Sequence, residues 1–207
     1  MSTPGSLPSS AIPFRYESGT TLVFALIMLV VLLLLGVSLA GISIKGEKSV
    51  RNENDQQLAL YAAESAIIDA ELDIEGSQST TSRSAIFSPD SPEGFIEGCG
   101  RGGGNIYQGL CLNILNSPKP IWLLCDLTVS GASAASVEFG RFTGKKMPVA
   151  KGPLPGQKPR YVIELIADHE SGQVDRSKYL YRITAIGFGS TKSTQAVVQS
   201  VYRKSAR

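Results

Sequence analysis

Residues 22–44 read LVFALIMLVVLLLLGVSLAGISI, twenty-three consecutive positions without a charge, a proline or a side-chain amide. As a helix rising ~1.5 Å per residue, this run spans about 34 Å, enough to cross a hydrocarbon core of about 30 Å with some tilt. The apolar stretch of a cleaved secretory signal is shorter, about 7–15 residues, and is followed by a small-x-small site. A lipoprotein signal needs a cysteine directly after the apolar run, and the first cysteine here is Cys99. The run therefore predicts a transmembrane helix over 22–44.

Nothing in the sequence stops that helix at Ile44, because no proline occurs between Pro13 and Pro89. In KGEKSVRNENDQQLALYAAESAIIDAELDI (45–74), Leu60, Ala63, Ile67, Ala70 and Ile74 recur at alternating spacings of three and four, which places them on one helical face. Glu64, Asp69, Glu71 and Asp73 lie between them and are expected on the wetter faces. Glu47 and Arg51 form a favourable (i, i+4) pair worth only about 0.2–0.5 kcal/mol. Gly76 and the SQSTTS run supply the stop. A stripe containing such small side chains lets another backbone approach closely, and the chain's own sheet is the first surface expected to cover it. Upstream, MSTPGSLPSSAIPFRYESG (1–19) has neither the periodicity nor the apolar content to fold, and reads as a leader. The predicted organisation is a leader at 1–19, one long helix over 20–75 and a globular region over 76–207.

The whole chain has 207 residues and a net charge of +2, unevenly distributed. Residues 45–75 hold three basic against eight acidic side chains, and residues 76–207 hold sixteen against nine. The near-balance argues against a dedicated nucleic-acid binder, which needs clustered Lys and Arg for phosphates. One His and three Cys exclude a His-based zinc site, and the cysteines lack CxxC spacing. No metal and no cofactor is expected. GCGRGGG (98–104) and GRFTGKK (140–146) both fail the phosphate-loop pattern, the second through its glycine spacing and through Lys146 where Ser or Thr is needed. His169, in Asp168-His169-Glu170-Ser171-Gly172, is expected in a solvated loop, since neighbouring turn residues point in different directions. Six basic residues between Phe139 and Ile163 (Arg141, Lys145, Lys146, Lys151, Lys158, Arg160) have no acid among them and read as a solvated loop before a patch for an acidic partner or DNA.

In the globular region, Ile121–Val129 is a compact apolar run suited to a buried strand. Tyr161–Ala167, Tyr179–Ile186 and Thr194–Arg203 are β-branched and aromatic segments separated by turn-forming stretches, as in an antiparallel meander. Val197 and Val201 are expected on one face of the last strand, Val198 and Tyr202 on the other. A long helix with such a sheet to cover its stripe predicts an α+β roll.

The order of a basic residue, a polar stretch ending in Gly19 and an uninterrupted apolar helix resembles a class III signal, which a prepilin peptidase cuts between Gly19 and Thr20. The alternative, an uncleaved signal anchor with an irregular tail, stays open on the local pattern alone. SGTTLVFALIMLVVLLLLGVSL (18–39), a charged linker and LALYAAESAIIDAE (58–71) with its Ala62-Ala63-Glu64 triplet are similar to the start of PilX-type minor pilins of type IV pili. PRYVIELI (159–166), YRITAIGFGSTKSTQAVVQSVYR (181–203), and Gly109-Leu110-Cys111 followed by Trp122 resemble that family's later blocks; residues 77–158 match it weakly.

The resemblance implies a pilin-like roll and a structural, non-enzymatic protein that primes fibre growth in a tip complex. It implies cleavage at Gly19, methylation at Thr20 and a helix packing stripe of Leu60, Ala63, Glu64, Ile67, Ala70 and Ile74. The implied partners are prepilin peptidase, other minor pilins, the major pilin, a tip adhesin and inner-membrane lipid, with the globular region in the periplasm before entry into an extracellular fibre. Most major pilins carry Glu at the fifth mature position, where this chain has Phe24. Counting Lys and Arg near the span gives Arg15 before it against Lys45, Lys48 and Arg51 after it, which by itself predicts the opposite orientation. A type II secretion tip pseudopilin and a signal-anchored periplasmic hydrolase are the alternatives; the first usually carries a larger domain, and the second needs a nucleophile and base that a single loop histidine supplies poorly. In an oxidising periplasm, Cys99 and Cys111 are the favoured disulfide because both lie in Gly-rich loops, against the alternative of three reduced thiols.

Overall fold

The computed structural model describes residues 19–88, 90–112, 120–150, 152–168 and 178–204. The leader before Gly19, Lys151 and the loop histidine His169 lie outside the described residues. The chain divides into two compact units, Met1–Val50 and Arg51–Arg207.

The described part of the first unit is helical. Helix α1 (Thr20–Glu75) begins directly after Gly19 and is continuous over 56 residues, as expected of a Leu- and Ala-rich stretch without proline. Within it, Thr20–Ser38 is long and apolar enough to cross a membrane. The large apolar side chains from Leu22 to Val37 are all exposed among the described residues.

In the second unit, α1 ends where Gly76 adopts φ +113° and donates its N–H to Leu72 O at 2.9 Å. That left-handed conformation is one glycine reaches without Cβ strain. A single 3₁₀ turn follows at Ser84–Ile86. The remaining elements are β1 (Leu110–Leu112), α2 (Ile121–Leu124), β2 (Val137–Glu138), β3 (Arg160–Asp168), β4 (Lys178–Phe188) and β5 (Gln195–Tyr202). The order across the sheet is β1-β3-β4-β5. Strands β3, β4 and β5 form the antiparallel meander. Strand β1 runs parallel to β3 opposite Ile163–Leu165, while β2 pairs antiparallel opposite Arg160 and Tyr161, so the two short strands share one edge of β3 end to end. The architecture is α+β, a helix packed on a mixed five-stranded sheet.

Strand alternation gives the sheet two covered faces. Tyr161, Ile163 and Leu165 of β3 and Tyr181, Ile183 and Ala185 of β4 meet Ala66, Ile67, Ala70 and Ile74 of α1, together with Phe87, Phe95 and Phe142. On the opposite face, Val162, Ile186 and Phe188 pack with Cys99, Cys111, Cys125, Leu127 and Ala135. On β5, Val197 and Val201 are exposed, while Val198 and Tyr202 lean on the helix-side core.

Two expectations are corrected. Ile121–Val129 is not a strand: Ile121–Leu124 forms one helical turn, with Trp122, Leu123 and Leu124 exposed, while Cys125 and Leu127 enter the small core. An apolar run of this length cannot be told from a short helix by periodicity alone. The buried face of α1 is also rotated from the predicted stripe. Ala63, Ile67, Ala70 and Ile74 are buried, but Leu60 is 40% exposed and Glu64 is exposed. The second buried row is Ala59, Ala62, Ala66, Asp69 and Asp73, with the two aspartates each only 1% exposed.

This rotation follows from how closely helix and sheet approach. A Cβ on Gly187 of β4 would lie 2.0 Å from Ala59 O and 2.3 Å from Ala63 N, so main chain meets main chain. Only the alanine row of α1 can face such a contact; Leu60 cannot. Gly187→Ala is expected to force the helix off the sheet and lower stability by about 1–3 kcal/mol, as overpacking does. Thermal unfolding of the full chain in detergent should show it as a fall in Tm, and an unchanged Tm contradicts the close approach.

Candidate functional site

The residues of interest on α1 fall at its start, on its inward face and on its outward face. At the start, Gly19 precedes the first helical residue, Thr20, and Phe24 lies one turn further on, 66% exposed.

The inward face carries acids that each fasten a different loop. Asp73 is the most deeply engaged. Arg83 donates Nε to both of its carboxylate oxygens, at 3.1 and 3.0 Å, and Nη2 to Oδ2 at 2.6 Å. Arg83 Nη1 donates to the carbonyls of Ile106 and Gln108 at 2.7 and 2.6 Å, and the guanidinium lies 3.7 Å from the Phe142 ring centroid. Tyr161 of β3 completes the cluster by donating its hydroxyl to Asp73 Oδ2 at 2.9 Å. Burial, and then the Asp73 charge, push the Tyr161 phenol well above its usual pKa, so it stays a donor.

Four residues up the helix, Asp69 accepts hydrogen bonds from Gly140 N–H and the Thr143 hydroxyl. Desolvation dominates there and raises its carboxyl above the usual range. Asp55 accepts from Ser190 N–H in the turn between β4 and β5, and hydrogen bonds from the Thr194 hydroxyl and Ser190 hold its carboxyl below the usual range. Glu75 Oε1 accepts from the Tyr202 hydroxyl at 2.8 Å. Sequence patterning alone puts Asp69 and Asp73 on the wet side of the helix. One signal points the other way: Ala59, Ala62, Ala66, Asp69 and Asp73 continue one heptad row.

The outward face is unexpectedly apolar. Leu58, Tyr61, Ile68 and Leu72 fall on a second row of alternating three and four spacing, interrupted only by Ser65. Tyr61 is 63% and Ile68 58% exposed, with Leu58 and Leu72 half-buried. A groove of about 270 Å³ beside Ser65, Ile68 and Leu72 is also lined by Asp69, Phe139 and Lys145.

On the far face of the sheet, Cys99 and Cys111 form a disulfide, and the free thiol of Cys125 is buried beside them. Desolvation pushes the Cys125 thiol above its usual pKa, against a lowering contribution from Arg101; Glu164 adds to the rise. The glycine arm leading to this bridge uses its amides internally. Gly100 N–H donates to Leu110 O and Gly102 N–H to Ala134 O, so they are not presented to an anion. A Cβ on Gly100 would lie 1.9 Å from Tyr107 O.

The basic stretch is partly neutralised by an acid just outside it. Lys158 Nζ and Arg160 Nη1 reach the two carboxylate oxygens of Glu138 at 2.9 and 3.7 Å. Arg160 is buried and also donates to Ser136 Oγ and O. Arg141, Lys145 and Lys146 are exposed.

Two family models match the chain. One is described as PilX N-terminal and matches residues 18–67; the other, described as Type IV pilus assembly protein PilX C-term, matches residues 69–204. No curated protein and no solved structure matches it.

The two buried aspartates are expected to differ in what the loss of one charge costs. Arg83→Ala strands the Asp73 carboxylate and is expected to cost about 3–5 kcal/mol. Asp69→Asn, at a carboxyl whose folded pKa is raised, should stay within about 1 kcal/mol of the parent at neutral pH. A raised folded pKa means that the Asp69 contribution is complete below its unfolded pKa and is lost as pH rises through the folded one, and the Asn variant should lack that slope. Chemical denaturation of both variants across pH checks this; equal losses contradict it.

Proposed function

The chain belongs to the PilX family of type IV pilus assembly proteins, and from that premise we propose that it is a minor pilin that starts fibre growth in a tip complex with other minor pilins. The observation that carries this reading is the double-sided helix: α1 buries alanines and aspartates against its own sheet and turns Leu58, Tyr61, Ile68 and Leu72 outward. A helix with apolar rows on both sides has a second surface to cover, and the helix of a neighbouring subunit presents matching chemistry. PilX pilins are structural components, and on this reading the chain catalyses nothing.

Prepilin peptidase removes the leader after Gly19, leaving Thr20 as a methylated N-terminus. Thr20–Ser38 holds the subunit in the inner membrane until it is drawn into the fibre. The domain beyond it lies in the periplasm, a setting that suits the Cys99–Cys111 disulfide. The peptidase acts on the cytoplasmic side, and that requirement outweighs the cations behind the span.

Phe24 gives the tip assignment its physical basis. In an apolar fibre core an isolated ammonium is costly unless a carboxylate pairs with it. A subunit with Phe24 offers no such carboxylate to a neighbour, so it fits where the regular repeat begins. The tip adhesin and the major pilin are the partners above and below it.

Expression with and without a prepilin peptidase, followed by N-terminal sequencing, should yield a species beginning Thr20-Thr21-Leu22 only with the enzyme. Phe24→Glu is expected to lower the number of fibres per cell without lowering the amount of processed subunit; normal fibre numbers contradict the tip role.

Tyr61→Glu and Ile68→Glu test the outward face separately. Each should leave the Tm of the full chain nearly unchanged, as surface substitutions usually do within about 0.5 kcal/mol. Co-purification with the other minor pilins should fall at least tenfold. Retained co-purification would show that assembly uses a different face.

A further inference from the structure

Three sulfurs meet on the sheet face opposite α1. Those of Cys99, Cys111 and Cys125 all lie within 4.8 Å of one another. Cys99 and Cys111 are bonded, and Cys125 Sγ stands only 2.9 Å from Cys99 Sγ. All three residues are almost fully buried, so an external thiol cannot reach them without local opening, whereas Cys125 is already in place.

We propose that Cys125 is a resident nucleophile for the Cys99–Cys111 bond, so that Cys99 is shared between two alternative disulfides. The Cys125 thiol loses its proton and its sulfur attacks Cys99 Sγ. The Cys99–Cys125 bond forms as the Cys99–Cys111 bond breaks, and the electron pair leaves on Cys111 Sγ, which takes up a proton. One thiol and one disulfide are present before and after, so no oxidant or reductant is needed.

Burial works against the Cys125 thiolate, but the backbone and the loop lengths permit reversible exchange once it forms. Cys99 lies at φ 67° between Gly98, itself at φ 73°, and Gly100, so the glycine arm has the backbone freedom to re-aim its sulfur. The present bond closes a separation of 12 residues and the alternative one of 26. By the three-halves power of loop length the two differ only about threefold in closure probability, so chain entropy does not exclude either. The covalent consequence is local but directional. The present bond ties the glycine arm to β1, and the alternative ties it to the segment behind α2, where Trp122, Leu123 and Leu124 are exposed.

The test is disulfide mapping of the full-length protein in detergent. Samples are held at about pH 8.5, near the unperturbed thiol pKa, quenched in acid and alkylated under denaturing conditions. Trypsin leaves Cys111 and Cys125 in one peptide, because Lys119 precedes Pro120, so chymotrypsin is added to cut between them. Both Cys99–Cys111 and Cys99–Cys125 peptides are expected, the second growing with time at a rate independent of protein concentration. Cys125→Ser should yield only the first, and Cys111→Ser only the second. Detection of Cys99–Cys111 alone in the parent protein after prolonged incubation overturns the proposal, as does an exchange rate that scales with protein concentration. Both of these readouts use the parent chain, so they decide the matter even where a variant fails to fold.

Discussion

The ion pair between Asp73 and Arg83 is the constraint around which the second unit is arranged. Both side chains are fully withdrawn from water. Such a pair adds little stability over well-packed apolar side chains, because desolvation offsets most of the attraction. Its effect is on register. Arg83 binds the end of α1, two carbonyls of the loop before β1 and, through the shared carboxylate, Tyr161 on β3. Rotating the helix by one residue would strand a buried carboxylate and a buried guanidinium together, a cost far larger than that of misplacing an alanine. Asp55, Asp69 and Glu75 repeat the device, each attached to a different loop or strand. Four of the eight acids in residues 45–75 thus bond to the chain's own domain, while Glu47, Glu53 and Glu64 are exposed.

The firmly fixed inward face contrasts with an outward face that carries exposed apolar side chains. The inward contact is made of small side chains, hydrogen-bonded acids and backbone, with Gly187 bringing β4 against the Ala59–Ala63 stretch. The larger apolar groups Tyr61 and Ile68 point away. This division lets the domain hold its own shape through the inner rows while the outer rows stay exposed.

Much of this was legible in the sequence, for identifiable reasons. The membrane-length run, the continuation of α1 and the three C-terminal strands depend on local periodicity, which a single chain displays. Val197 and Val201 fall opposite Val198 and Tyr202 by the same rule. The failures came where packing partners decide. Leu60 looked interior because it continues a row of apolar residues, but the glycine in β4 requires alanine there. Asp69 and Asp73 looked exterior because charge usually is, and their partners are Thr143, Gly140, Tyr161 and Arg83, 10 to 88 residues away. Ile121–Leu124 coils into a turn of helix in place of the expected strand, which no local pattern revealed. The link between Cys99 and Cys111 joins the glycine arm to β1, while the approach of Cys125 depends on the fold of the residues between.

The two covers of the sheet differ in what holds them. On the helix side, the lid is a stretch of α1 whose buried rows combine alanines, isoleucines and hydrogen-bonded aspartates; on the reverse, it is a strand-poor segment cross-linked through sulfur. The first can close wherever the chain is free to coil, whereas the second is completed only where thiols oxidise. Closing the reverse side therefore needs an oxidant that closing the helix side does not.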